Sequence, residues 1–117
     1  ATFPSLIKTG EGQMIITTTG SVEGRTISAY MGVVGGEAVM GSNFIRDFFA
    51  RVTDTLGGRS DAYQKEIRNA RAHALSDMKD EAADIGADAI VGISVDVEVI
   101  GDSMLMVTVS GTAVKLT

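Results

Sequence analysis

Three polar residues near the middle of the chain have the types and spacing of an anion site. The stretch "GGRSDAY" (57–63) carries Arg59, Ser60 and Tyr63 at the start of a long helical pattern. A helix N-terminus presents free N–H groups, and a guanidinium adds a charge that pairs with phosphate or carboxylate. The serine hydroxyl could donate a hydrogen bond and the tyrosine could stack, so this turn could bind a small anionic ligand.

A structural role explains the same residues. Gly57-Gly58 can end one helix, and Ser60 or Asp61 can cap the next, with Arg59 paired to a neighbouring carboxylate. The stretch is not a P-loop, because no Gly-Lys-Ser/Thr follows at the required spacing. We favour the structural role and keep four residues as candidate ligand contacts: Arg59, Ser60, Tyr63 and Glu37.

Two acidic residues are the candidate metal ligands. Asp96 and Glu98 are two positions apart in a strand pattern, so they share a face at a separation of about 6 to 7 Å. Such carboxylates could hold a hard cation such as Mg²⁺ or Ca²⁺. We favour the simpler interpretation, a solvated polar strand face. Soft metals prefer thiolate and imidazole, and the chain has no cysteine and one histidine, His73, which we expect at a surface or interface.

No arrangement of residues predicts a particular reaction. One histidine on a helix, without a nucleophile elbow, is not the signal of a catalytic triad, and no pair of carboxylates stands out as an acid and a base. An enzyme is therefore the alternative hypothesis, with Arg59, Tyr63 and Glu37 completing an active site at a subunit interface.

The hydrophobic periodicity indicates an α+β domain that positions these residues. The period is two in the strand patterns and about 3.6 in the helical ones. An alanine-rich stripe on the long helix lets another layer approach closely. The predicted elements are a strand (26–40) interrupted by Gly35-Gly36, a Phe-rich helix (42–56), a long helix (60–85), and a β-hairpin (87–114) that turns at Gly101-Asp102-Ser103.

Alternation along the strands predicts which side chains share a face. One expected set along the first strand is Ile27, Ala29, Met31 and Val33. In the hairpin, the expected apolar sets are Val91, Ile93, Val95, Val97 and Val99, and Leu105, Val107, Val109 and Ala113. The other face of the return strand carries Met104, Met106 and small hydroxyl residues. About three long strands under one helix leave sheet edges and a second face to cover, so we expect an oligomer.

The Phe-rich helix has three interpretations. Phe44, Phe48 and Phe49 could pack under the sheet of their own subunit or insert between subunits. A ligand-binding aromatic patch is the third, and we favour the two structural ones.

Composition narrows the classes of function. The 117 residues fit one domain, and a net charge of −5 argues against nucleic acid or an anionic membrane as partner. No apolar run approaches the ~20 residues of a membrane span, and no secretory signal is evident. The absence of cysteine excludes disulfides and thiolate sites and suits a cytoplasmic location.

The first residues differ from the rest of the chain. Residues 1–13 contain the only proline and show no sustained period, and Met14 follows them. We interpret residues 1–13 as a non-native or disordered prefix and residues 14–117 as a single domain. A genuine N-terminal arm is the alternative.

Three stretches together resemble the YbjQ family of small, largely uncharacterised prokaryotic proteins. They are "GVVGGEAVMGSNFIRDFFA", "GGRSDAYQKEIRNAR" and "GADAIVGISVDVEVIGDSMLMVTVSGTAVK", and the resemblance extends from Met14 to about Lys115. It implies a dodecin-like subunit, a two-layer βαββ core with a long helix on one side of an antiparallel sheet. It also implies a ring-shaped homo-oligomer, a pentamer, and the family carries a heavy-metal-binding label.

These observations lead to one functional expectation and two alternatives. We expect a non-enzymatic oligomeric binding or scaffold protein that holds a small molecule or ion between subunits, with any metal cofactor suggested by the family label alone. The first alternative is the interface enzyme, and the second is a structural adaptor for a partner protein. An adaptor should keep an uncovered apolar patch after the ring has assembled.

Overall fold

A mixed four-stranded sheet and one long helix make up the part of the chain that the computed structural model describes, residues 14–40, 61–100 and 104–117. The sheet order is β1-β3-β4-β2, with β1 parallel to β3 and the other pairs antiparallel. The elements are β1 (Ile15–Ile16), β2 (Ile27–Met40), α1 (Asp61–Asp84), β3 (Ala89–Ile100) and β4 (Met104–Leu116).

The expected α+β architecture is confirmed, but the sheet is not wholly antiparallel. Strand β1 is not predicted from the sequence, and it adds a parallel strand beside the start of β3. Ile15 and Ile16 pair with Ala89 and Ile90, and the Thr17 amide donates to the Ile90 carbonyl at 3.0 Å. A strand of two residues is too short to show a period, so only its β-branched residues hinted at it.

The long helix ends within a residue or so of its predicted bounds, and its apolar stripe is alanine-rich as expected. Ala70, Ala74, Met78 and Ala82 recur every four residues and are buried. Gly86, at a φ of 83°, ends the helix because a left-handed residue turns the chain away at little cost. The amide of Ala87 closes this end by donating to the Ala82 carbonyl at 3.0 Å.

Helix α1 lies mainly over β2 and β4. The backbone of the helix can approach β2 closely because β2 contains the glycine pair Gly35-Gly36. A Cβ built on Gly36 would overlap the Ala74 carbonyl oxygen and lie 3.1 Å from the Asp77 Cβ. Glu81 adds a polar tie, since its Oε1 accepts the Gly35 amide at 2.8 Å. This hydrogen bond between the helix and β2 is a finding of the structure.

A bulge in β3 reverses part of the predicted face assignment. The register passes from Val91 opposite Thr112 to Ser94 opposite Ser110, which leaves two residues of β3 facing Gly111. Val91 therefore packs on the opposite sheet face from Ile93, and the prediction that both share one face is wrong. Gly111 has no room for a side chain, because a Cβ there would lie 2.7 Å from the Ile90 Cγ2.

Irregular register also changes the faces of β2. The pairing with β4 shifts between Ile27 and Ala29 and again between Tyr30 and Gly32. As a result Val34 is 3% exposed and packs in the core, whereas Val33 is 80% exposed. Ile27 packs in the cluster on the face away from α1, whereas Met31 packs against the cluster under the helix, so the prediction that Ile27, Met31 and Val33 share one face is wrong.

Three hydrophobic clusters fill the fold. Two lie between α1 and the sheet, around Met78 and Val109 and around Ala70 and Val107. The third lies on the other sheet face, where Val22 and Ile27 pack against Val114 and its neighbours. The prefix 1–13, the Phe-rich helix 42–56 and the turn 101–103 lie outside the described residues, so those predictions stand as made.

Replacing Gly36 with alanine should destabilise the protein. We expect Gly36→Ala to lower the free energy of unfolding by about 1 to 3 kcal/mol, because the new methyl group must push the helix from the sheet. Gly20→Ala is the matched control, since nothing lies within 4 Å of a Cβ there. Chemical denaturation measures both variants, and equal stability would refute the close-approach explanation.

Asp88 should matter more than its exposed ion pair suggests. Its Oδ2 accepts the Leu116 amide at 2.8 Å, and its Oδ1 lies 3.6 Å from the Lys115 Nζ. We expect Asp88→Ala to cost about 1 to 3 kcal/mol, because it leaves the Leu116 amide without its acceptor. Lys115→Ala should cost less than about 1 kcal/mol, because exposed pairs contribute little. Thermal unfolding compares the two, and the reverse order would contradict this account.

Candidate functional site

Beyond the bulge, the sheet face turned away from α1 carries the polar and sulfur-bearing side chains; we call it the open face. Strand register defines it as a grid, since directly paired residues of neighbouring strands share a face. One row across the sheet is Asp96, Thr108 and Glu37, and the next is Glu98, Met106 and Val39. Met104 continues the middle strand, opposite Ile100.

The three exposed carboxylates of this face come from two strands. Asp96 and Glu98 follow each other along β3, about 6.6 Å apart for two residues of strand rise. Glu37 lies in β2, on the far side of β4, and therefore roughly 9.5 Å from Asp96 across two strand spacings. The sequence analysis treated Glu37 and the Asp96–Glu98 pair as parts of different sites, whereas the structure places them on one surface.

The candidate anion site lies mostly outside the described residues. Glu37 is on the sheet face turned away from α1, the helix whose first turn contains Tyr63. Of Tyr63 the backbone alone is described, and Arg59 and Ser60 lie outside the described residues. The proposed grouping of Glu37 with these three residues therefore stays a prediction.

The charge on the open face is negative. Strands β2 and β3 contain no lysine or arginine, and the one lysine of β4, Lys115, lies at the far end of the strand beside Asp88. Three carboxylates without an intervening cationic residue on these strands create a negative potential. This surface should attract cations and repel anionic ligands.

The carboxylates in the described part of the chain do not form a metal centre by themselves. Among the described residues, no group of three or more His, Cys, Asp or Glu side chains is placed to hold one ion. The separation of Glu37 from the β3 pair explains this. A cation on this face needs further donors, either other side chains of the face or carboxylates of a second copy.

The single histidine is where the sequence analysis expected it. His73 is exposed on the outer face of α1, beside Asn69 and Ser76. It lies on the other side of the sheet from the open-face carboxylates.

An apolar row on the opposite side of β3 is exposed; we call it the valine stripe. It consists of Val95, Val97 and Val99, which are 40%, 51% and 70% exposed. Their partners on β4 are Val109, Val107 and Leu105, which are buried. The stripe is bare because α1 is displaced toward β2. Alternation alone cannot reveal this, since a bare valine row and a core row have the same period.

The same segment of β3 is also a strand edge. The first part of β3 is covered by the chain that follows β1, because the Thr17 and Thr19 carbonyls accept hydrogen bonds from the amides of Ile93 and Gly92 at 3.2 and 2.8 Å. Beyond Ile93, β3 pairs with β4 alone in the described chain. An unpaired edge next to bare valines is a surface that a second polypeptide can cover.

Among the described residues, no helix is long and apolar enough to cross a membrane.

Comparison with known proteins agrees with this architecture. A crystal structure of a protein with unknown function from Pediococcus pentosaceus ATCC 25745, which belongs to the DUF74 family, is similar to this chain with a TM-score of 0.61. The two are 22% identical, and the match covers 89% of this chain and 98% of that one. At this identity the likeness shows the fold alone.

A match between the sequence and a protein-family model gives evidence that does not depend on the fold. The model of the YbjQ family, which has the description "Putative heavy-metal-binding", matches residues 14–117. This match covers the whole region for which the sequence suggested the resemblance. The chain therefore belongs to the YbjQ family.

Proposed function

We propose that the protein is a non-enzymatic binding protein that assembles into a homo-oligomeric ring and holds an ion or small ligand between its subunits. The observation that carries the proposal is the valine stripe beside the unpaired edge of β3. Burying one valine side chain contributes roughly 1.5 to 3 kcal/mol, so three bare valines in a row favour association. The proposed cover is a second copy of the chain.

The positions of the two sheet edges support a ring. The arm built from β3, β4 and β2 has the bare edge of β3 on one side and β2 with α1 on the other. On the β2 side, the Gly35 amide already donates a hydrogen bond to the Glu81 carboxylate. The two edges therefore differ in which backbone groups are available for pairing. A contact between unlike edges of neighbouring copies is head-to-tail, and such contacts form a ring when the rotation from copy to copy closes and an open filament when it does not. The family resemblance favours five subunits.

The open face supports a binding role in such an assembly. Its carboxylates attract cations, yet the described residues of one chain do not bring three of them within reach of one ion. Rotational symmetry repeats each carboxylate around an axis, which supplies ligands that one subunit lacks. The heavy-metal description of the family agrees with a bound ion. The possible ligands on the open face are carboxylate oxygens and methionine sulfurs, and the chain has no cysteine to supply a thiolate.

Oligomeric state tests the proposal directly. We expect native mass spectrometry of the full chain at micromolar concentration to show a closed ring. Val97→Lys should reduce the ring to smaller species, because the interface would have to bury an unpaired charge. Ile85→Lys is the matched control, since Ile85 is 45% exposed at the end of α1, away from the stripe.

The outcomes separate the proposal from its alternatives. A monomeric wild-type protein would refute the ring. A ring that survives Val97→Lys would show that the stripe is not the contact, as expected if a partner protein covers it and the protein is an adaptor. Clustered, pH-sensitive polar groups between subunits would instead support the enzyme hypothesis.

A further inference from the structure

We propose that Met104 and Met106, together with Glu98, form a binding site for a soft monovalent cation such as Cu⁺ or Ag⁺. This inference deepens the proposed binding function, because it names a ligand class for the open face. It requires neither a ring nor the three carboxylates to act together.

The placement of the six methionines is the first observation. Met40 and Met78 are buried in the clusters between α1 and the sheet, and Met14 and Met31 pack against the larger of these clusters. Met104 and Met106 belong to neither and are partly exposed on the open face. Four methionines thus pack in or against the clusters under α1, whereas Met104 and Met106 lie on the other sheet face, outside the clusters that the described residues form.

The geometry of β4 brings the two sulfurs within reach of one ion. Met104 and Met106 are two residues apart on one face, so their Cβ atoms are separated by about 6.6 Å. A methionine side chain has three rotatable bonds, and two such arms can converge on an ion above the strand. Leu105, between them, points to the helix side and is buried, which fixes the orientation of both methionines.

Glu98 supplies the charge that two neutral thioethers lack. It is the direct partner of Met106 across the β3–β4 pair, and Met104 is its diagonal neighbour. Directly paired residues have Cβ atoms about 5 Å apart and diagonal ones roughly 7 to 8 Å apart. A glutamate side chain can therefore approach an ion held by both sulfurs, and its single negative charge matches a monovalent cation.

The donor set selects the class of metal. Thioether sulfur is a soft ligand that favours Cu⁺ over Mg²⁺ or Ca²⁺, which prefer oxygen. A hard cation would need several carboxylates together, and the described residues do not bring three within reach of one ion. A thioether also has no proton to lose, so binding through sulfur should release none, in contrast to thiolate or imidazole sites.

Silver provides the test, since Ag⁺ resembles Cu⁺ in softness and is not oxidised in air. The full chain, with its methionine methyl groups labelled with ¹³C, is titrated with silver nitrate in chloride-free buffer. We expect the methyl signals of Met104 and Met106 to shift and those of Met14 and Met31 to stay. Native mass spectrometry of the same samples should show one silver ion per subunit.

Substitutions identify the ligands. We expect Met104→Leu/Met106→Leu to weaken silver binding by at least about tenfold, while leucine conserves most of the volume. Met14→Leu/Met31→Leu is the matched control and should bind silver as the wild type does. Glu98→Gln should also weaken binding, because it removes the charge and keeps the shape.

Three outcomes would overturn the inference. They are full silver binding by Met104→Leu/Met106→Leu, no methyl shift at either residue, and displacement of silver by Mg²⁺ at a similar concentration. The subunit count in the same spectra tests the ring separately, so a ring without silver refutes this site and leaves the assembly intact. If the double variant also fails to assemble, Met106→Leu decides: weaker silver binding by an assembled protein supports the site, and unchanged binding refutes it.

Discussion

The backbone of α1 approaches β2 at Gly36, and this contact determines where the helix lies on the sheet. Because β2 has no side chain there, the helix lies over β2 and β4 rather than over the middle of the sheet. In this position the helix itself does not cover the outer half of β3. The exposed valine stripe on β3 is thus a consequence of a glycine two strands away.

The bulge opposite Gly111 decides what each face of the bare arm carries. A strand side chain changes face with every residue, so one extra residue exchanges the two faces from that point on. Before the bulge, Val91 packs on the face away from α1; after it, Val95 faces the helix side and Asp96 the open face. Without the bulge, the acidic residues of β3 would lie on the helix side and the valines on the open face.

Sequence reasoning succeeded where a feature depends on a long, regular period. It located α1, the two strands of the hairpin and the alternation of β4, because each repeats its pattern over many residues. It failed at β1, which is too short, and at Val33 and Val91, where irregular register breaks the alternation. Glu37 shares a face with Asp96 and Glu98 because β2 and β3 both pair with β4. A local sequence pattern does not reveal this strand order, so the shared face could not be predicted.

The surface proposed for assembly and the site proposed for a cation lie on opposite faces of one arm, and this separation has a consequence for how the two can be coupled. Val97 and Glu98 are neighbours in sequence, so any movement of β3 relative to β4 displaces the valine stripe and the open face together. A copy that pairs with the edge of β3 would hold this strand in place and fix the position of Glu98 beside Met106. Association should therefore order these cation ligands through the strand itself, in addition to any carboxylate that a second copy supplies.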